Sequence, residues 1–271
     1  LHPAILYAAK LCGVTKIFKV GGIQAIGAMT FGTESVPNVY KIFGPGNQFV
    51  TAAKQVALSK GIAIDMPAGP SELLVLADET ANATFVASDL LSQAEHGADS
   101  QVICVSNSES FLQEVSEEVV KQLAVLPRKE IAEKAIENSK SILLRDKEDI
   151  IDLINEYGPE HFILAVDNED FYLNNIVNAG SVFIGNYTPE SAGDYASGTN
   201  HTLPTDGFSK SYSGVNLDAF VKKITFQRIS KKGIKNIGNA IELMADAEGL
   251  QAHKNAVTLR LNELKEDEGG I

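Results

Sequence analysis

Cysteine is nearly absent, with only Cys12 and Cys104 in 271 residues. Both lie in apolar stretches and share no C-x-x-C spacing, so no disulfide framework is readable and the chain suits a reducing compartment. That compartment is read as the cytoplasm, with a plastid as the alternative. Cations are also scarce, 23 Lys and Arg against 35 Asp and Glu, for a net charge of −12. A nucleic-acid partner is excluded on that balance, because phosphate-backbone binders cluster Lys and Arg. The one basic run, Ile229 to Lys235, reads as a solvated loop ahead of a helix. Long apolar runs are missing too. None reaches the roughly 18 to 20 uncharged residues that a membrane-spanning helix needs, and no signal peptide is visible. Internal repeats and low-complexity segments are absent. Met is missing at the first position, where Leu1-His2-Pro3 leads straight into a helical pattern, so the natural start is expected upstream.

The chain is 44% hydrophobic and 21% charged, enough to bury a large core, and reads as two lobes. Lys16 to Val20 reads as a strand, Ile23 to Phe31 as a helix, Tyr40 to Phe43 as a strand, Gln48 to Ser59 as a helix and Ile62 to Met66 as a strand. After the turn-rich seam Pro67-Ala68-Gly69-Pro70, strands are expected at Leu73 to Ala77, Gln101 to Ser106, Ser141 to Leu144, His161 to Val166 and Ser181 to Ile184. Helices are expected at Thr80 to Glu95, Ser110 to Leu123 and Lys129 to Ser139. Alternation of this kind favours parallel sheets with helices on their faces. Gly185 to Phe208 reads as one long loop and a functional suspect. Ile234 to Leu264 reads as a helical tail broken at Glu248-Gly249.

Only five histidines occur, and besides His96 three of them, His161, His201 and His253, sit in polar settings. Gln93 and His96 are three apart at the end of an expected helix, so both leave one face, where an amide oxygen and an imidazole can bind a metal or a small polar ligand. A satisfied core histidine explains the same spacing. Glu160-His161 opens a strand, and an adjacent carboxylate and imidazole can divide two proton transfers; a surface pair is the alternative. Asp194 stands alone in a small-residue loop that can close around a metal or simply form an Asx-turn. Gly44-Pro45-Gly46-Asn47 follows a strand and opens a helix, so its amides can face a pyrophosphate, although the pattern is not G-x-G-x-x-G. All these groups fall at strand ends, where open α/β sheets place their ligands.

Three longer runs carry a resemblance. Ile64-Asp65-Met66-Pro67-Ala68-Gly69-Pro70-Ser71-Glu72, Leu91-Ser92-Gln93-Ala94-Glu95-His96-Gly97 and Glu190-Ser191-Ala192-Gly193-Asp194-Tyr195-Ala196-Ser197-Gly198-Thr199-Asn200-His201 are similar to the signature of the histidinol dehydrogenases. The likeness runs in order along essentially the whole chain. It implies an α/β protein of two Rossmann-like, incomplete doubly wound parallel-sheet domains and a C-terminal helical tail. The divisions are residues 1–68 for NAD binding, 69–215 for zinc and catalysis, and 216–271 for dimerisation.

The resemblance also implies oxidation of L-histidinol through the aldehyde to L-histidine, with NAD and one zinc ion per subunit. Gln93, His96 and Asp194 match zinc ligands, joined by His253 from the second subunit of a homodimer. Glu160 and His161 match the acid/base pair, Gln24 and Asn47 the NAD contacts. Ser71, His201 and Glu248 match substrate contacts, together with the acid/base pair and the metal ligands. His2 matches no site position. Family members extend well before the position of Leu1, which leaves two other readings open. One is a non-catalytic zinc-binding or oligomerising remnant, the other a generic NAD-binding module acting on another amino alcohol.

Overall fold

The computed structural model describes residues 1–67 and 69–269, so Ala68 of the expected seam lies outside the described residues. The chain divides into two compact units, Leu1–Phe220 and Val221–Ile271.

In the first unit, helices α1 (Pro3–Leu11) and α2 (Gly22–Phe31) precede strand β1 (Lys41–Ile42), helix α3 (Gln48–Ser59) and strand β2 (Ala63–Ile64). The two short strands pair in parallel. Ile26, Ile42 and Ala57 form a small core where α2 and α3 cover them. The strand expected at Lys16 to Val20 does not form. Those residues are exposed and pair with no strand among the described residues. Apolar content alone does not make a strand, since its backbone groups need a neighbour to bond.

Five further strands build the main sheet: β3 (Glu72–Ala77), β4 (Gln101–Ser106), β5 (Lys140–Leu143), β6 (His161–Ala165) and β7 (Ser181–Ile184). All pairs are parallel and the spatial order is β5-β4-β3-β6-β7. Counted within this sheet, that is the 3-2-1-4-5 order of a doubly wound fold, reversing between β3 and β6. Alternate residues sort to the two faces. Leu73, Val75, Ala77, Cys104 and Ile163 pack under α4 (Ala83–Ala94), α5 (Glu109–Leu123) and α6 (Lys129–Glu137). Leu74, Leu76, Val105, Phe162 and Leu164 pack under α7 (Lys147–Tyr157) and α8 (Glu169–Asn175).

Neither α7 nor α8 was expected. Helix α7 starts where Asp146 accepts from the amides of Glu148 and Asp149, at 2.9 and 3.3 Å. It buries Ile150, Ile151 and Ile154 and ends at Gly158, whose φ of 62° is the left-handed conformation that glycine adopts without strain. This turn delivers Pro159-Glu160-His161 to the start of β6. The long loop expected from Gly185 to Phe208 contains helix α9 (Glu190–Tyr195).

In the second unit, α10 (Lys231–Ala247) and α11 (Gln251–Gly269) form a hairpin. Glu242 accepts from Thr258, Asp246 pairs with Lys254 at 2.8 Å, and Gly238 sits against Leu261, so the two helices run antiparallel. Among the described residues, no helix is long and apolar enough to cross a membrane.

Candidate active site

Strands β3 and β6 align Leu73 with His161, which places Ser71, Glu72, Glu160 and His161 together at the amino-terminal edge of the sheet. Open α/β folds place ligands at the opposite, carboxyl edge. Glu160 and His161 thus stand at a strand start, on the edge opposite to the one expected. Helix α4 runs back against the strands, so Gln93 and His96 at its end return to this same edge.

Glu160 and His161 are 6% and 4% exposed. Residue Glu72 holds both through its backbone: its N–H donates to Glu160 Oε2 at 3.0 Å, and its carbonyl meets His161 Nδ1 at 3.2 Å. A carbonyl only accepts, so Nδ1 carries the proton and Nε2 has a bare lone pair. That Nε2 is buried and has no hydrogen-bond partner. Burial lowers the His161 pKa to about 4, so the ring is neutral near pH 7. Burial raises Glu160 to about 8, with the nearby charges of Glu72 and Asp194 adding to the effect. Close approach of β7 completes the setting. Gly180 lies so near Glu160 that an added Cβ would fall 2.4 Å from its carbonyl oxygen, and only glycine fits.

Across the site, Asp194, His96 and His201 all act electrostatically on His161. Ligating atoms of His96, Glu190 and Asp194 lie within 4.8 Å of one another. Asp194 is therefore neither alone nor in a loop: it sits on α9 with Glu190 one turn before it. Glu190 is 2% exposed and burial pushes its pKa up to about 9, with Asp194 and Glu160 contributing. Fully buried Gln93 joins the group: one arm of its amide meets the two Glu190 oxygens at 3.0 and 2.6 Å, a place that suits the NH2 end, which can donate to both. An imidazole, two carboxylates and an amide oxygen suit a divalent cation such as zinc.

A cleft of about 100 Å³ connects Glu160 to the expected phosphate turn. Gly44, Lys54, Ser71, Glu160, His201 and Thr205 are among the residues lining it. Asn47 caps α3 by accepting from Phe49 and Val50, at 3.1 and 3.2 Å, and the exposed rim of the turn lies at the positive end of this twelve-residue helix. Behind the turn, Asp65 accepts from the Gly44 amide at 2.8 Å and Lys54 donates to the Gly44 carbonyl at 2.9 Å. Lys54 and Asp65 also pair with each other in full burial.

A profile of the family described as histidinol dehydrogenase matches residues 1–261. The chain belongs to the histidinol dehydrogenase family. It is 64% identical over 265 residues to histidinol dehydrogenase of Bacteroides thetaiotaomicron, covering 98% of this chain and 62% of that protein. Against the enzyme of Pseudoalteromonas translucida it is 57% identical over 270 residues, covering 99% of this chain and 62% of the relative. The crystal structure of histidinol dehydrogenase from Elizabethkingia anophelis superposes with a TM-score of 0.95 at 62% identity, covering 97% of this chain and 61% of that one. The chain thus spans about three fifths of the histidinol dehydrogenases it matches.

The remaining positions expected from the resemblance are spread more widely. Ser71 is half-buried and His201 exposed, both on the cleft. Gln24 is exposed on α2. Glu248 caps the end of α10 and His253 lies on α11, both exposed in the second unit. His2 caps α1, its Nδ1 accepting from the Ala4 amide at 3.2 Å. Two residues escaped the sequence reading. Glu190 was findable, since it lies four before Asp194 and therefore on the same face of a helix. Nothing in the apolar run Glu72 to Ala77 marks Glu72 as more than a strand's first residue.

Proposed function

We propose that this chain supplies the catalytic and NAD-binding parts of an enzyme that oxidises L-histidinol through L-histidinaldehyde to L-histidine. The observation that carries the reading is His161, a buried neutral imidazole with its Nδ1 proton committed to a carbonyl and its Nε2 bare, beside Glu160 and facing the His96–Asp194 cluster. In the alcohol step, His161 Nε2 takes the hydroxyl proton as the hydride leaves carbon. In the aldehyde step, Glu160 in its ionised form, which dominates above its raised pKa of about 8, takes a proton from the water that adds to the carbonyl. Gln93, His96 and Asp194 would hold zinc, with His253 of the second subunit, and Gln24 and Asn47 would contact NAD. When bound, NAD accepts the hydride and zinc anchors the substrate in a fixed orientation. Ser71 and His201, on the cleft, would meet the substrate, as would Glu248.

The reading includes a homodimer with shared active sites in the cytoplasm. Exposed Leu243, Met244 and Leu259 on the second unit's hairpin support an intersubunit role, because an apolar helix face is stable when covered. The test is NADH formation by the full-length protein with histidinol, with and without a chelator. A histidinol-dependent, chelator-sensitive signal is expected, and its absence overturns the reading.

A further inference from the structure

Glutamine is a poor choice of metal ligand unless something decides which end of its amide faces the ion. Oxygen binds cations, whereas the amide nitrogen, its lone pair delocalised, does not. A glutamine free to rotate presents each end in turn.

We infer that Glu190 is a positioning residue that turns the Gln93 amide oxygen outward as a metal donor. One amide atom of Gln93 meets both oxygens of Glu190, at 2.6 and 3.0 Å. An oxygen in that place would face at least one carboxyl lone pair, while an NH2 group can donate to both. The amide is planar, so fixing its nitrogen against Glu190 fixes its oxygen on the opposite arm. Gln93 is fully buried, so its protein neighbours and not bulk solvent select the orientation. The same short helix carries Glu190 and Asp194, so one element presents the anionic ligand and orients the amide ligand. A Glu190 oxygen lies within 4.8 Å of ligating atoms of His96 and Asp194, yet both Glu190 oxygens also meet the same arm of the Gln93 amide.

This inference rests on the zinc reading of the site, and the experiment separates the two. Zinc affinity of the metal-depleted full-length protein is measured by competition with a chromophoric chelator, for wild type and His96→Ala, Gln93→Leu, Glu190→Leu and Glu190→Gln. Wild type binding zinc tightly and His96→Ala weakly supports the site itself; equal affinity in these two overturns the zinc reading. If Glu190 orients Gln93, Glu190→Leu weakens zinc roughly 10- to 100-fold. Glu190→Gln, which keeps an acceptor oxygen and nearly the same shape, recovers most of that loss. In a Gln93→Leu background, Glu190→Leu costs little more. Unchanged affinity in Glu190→Leu overturns the inference. So does a loss in Glu190→Gln as large as in Glu190→Leu, which would make Glu190 a direct ligand, or a full additive loss in the Gln93→Leu background.

Discussion

Replacing Lys54 by Met removes the positive half of a fully buried ion pair and tests how the turn at Gly44 is held. Lys54 is 3% exposed and the Asp65 side chain wholly enclosed. Three backbone bonds depend on the pair: Lys54 to the Gly44 carbonyl at 2.9 Å, Asp65 from the Gly44 amide at 2.8 Å, and Asp65 from the Met66 amide at 2.7 Å. The Lys54→Met change leaves a buried carboxylate with two amide donors and no countercharge, a situation that costs about 3–5 kcal/mol. With a urea m-value near ~2 kcal/mol/M, the midpoint falls by about 2 M. Asp65→Asn strands the ammonium with a single carbonyl and is expected to cost a similar amount. The double variant Lys54→Met/Asp65→Asn leaves no uncompensated charge, so it is expected to be more stable than the sum of the two losses by at least ~2 kcal/mol. Urea titrations of the four proteins measure this cycle. A Lys54→Met loss below about 1 kcal/mol, or strict additivity in the double variant, refutes the reasoning.

The division of labour in the acid/base pair predicts that Glu160→Gln slows aldehyde oxidation more than alcohol oxidation, while His161→Asn slows both, each by roughly 10²- to 10⁴-fold; equal losses for Glu160→Gln in the two half-reactions contradict it. Metal-free protein should lose stability as pH rises from about 6.5 to 8. Glu160, raised from 4.5 to about 8, binds its proton more tightly when folded, so its contribution is complete below 4.5 and gone once pH passes 8. His161, lowered from 6.5 to about 4, acts oppositely and only below 6.5. Urea midpoints at three pH values measure the slope, up to ~1.4 kcal/mol per pH unit from Glu160, and an unchanged slope in Glu160→Gln rejects this origin. Subunits carrying His253→Ala, mixed with subunits carrying His161→Asn, should regain activity toward half of a wild-type dimer if His253 serves the opposite site; mixtures that stay inactive reject the shared site.

Strands such as Gln101 to Ser106 and Ser181 to Ile184 were legible to the residue because each is an unbroken apolar run bounded by polar or turn residues, although the second lies at the sheet edge and is only partly buried. Helix α3 was equally legible, bounded by its Asn47 cap. Lys16 to Val20 misled for a physical reason: apolar residues make a strand possible, but the neighbour that realises it is invisible in a local window. Helix α9 was hidden by its brevity and by Gly193 at its centre, although Pro189 followed by Glu190 is a helix-start signal. Gln93, His96, Glu160 and His161 could be nominated from spacing, but the edge they share depends on which way each element runs. The partnership of Gln93 with Glu190 joins residues almost a hundred positions apart, beyond the reach of any local pattern.

Because the chemistry gathers at the amino-terminal edge, the carboxyl edge of the main sheet is left as a service side. A five-residue strand separates the two by roughly 16 Å, at about 3.3 Å per residue. Loops there, such as Asn107 after β4 and Asp167 after β6, can be lengthened or tagged with little effect on proton transfer. Of the two native thiols, Cys104 is 2% exposed and its pKa is pushed up to about 12 by burial, whereas Cys12 is exposed. A Cys12→Ser background with one new cysteine at Asn107 therefore gives a single attachment point, from which a dye can watch the site through the thickness of the sheet.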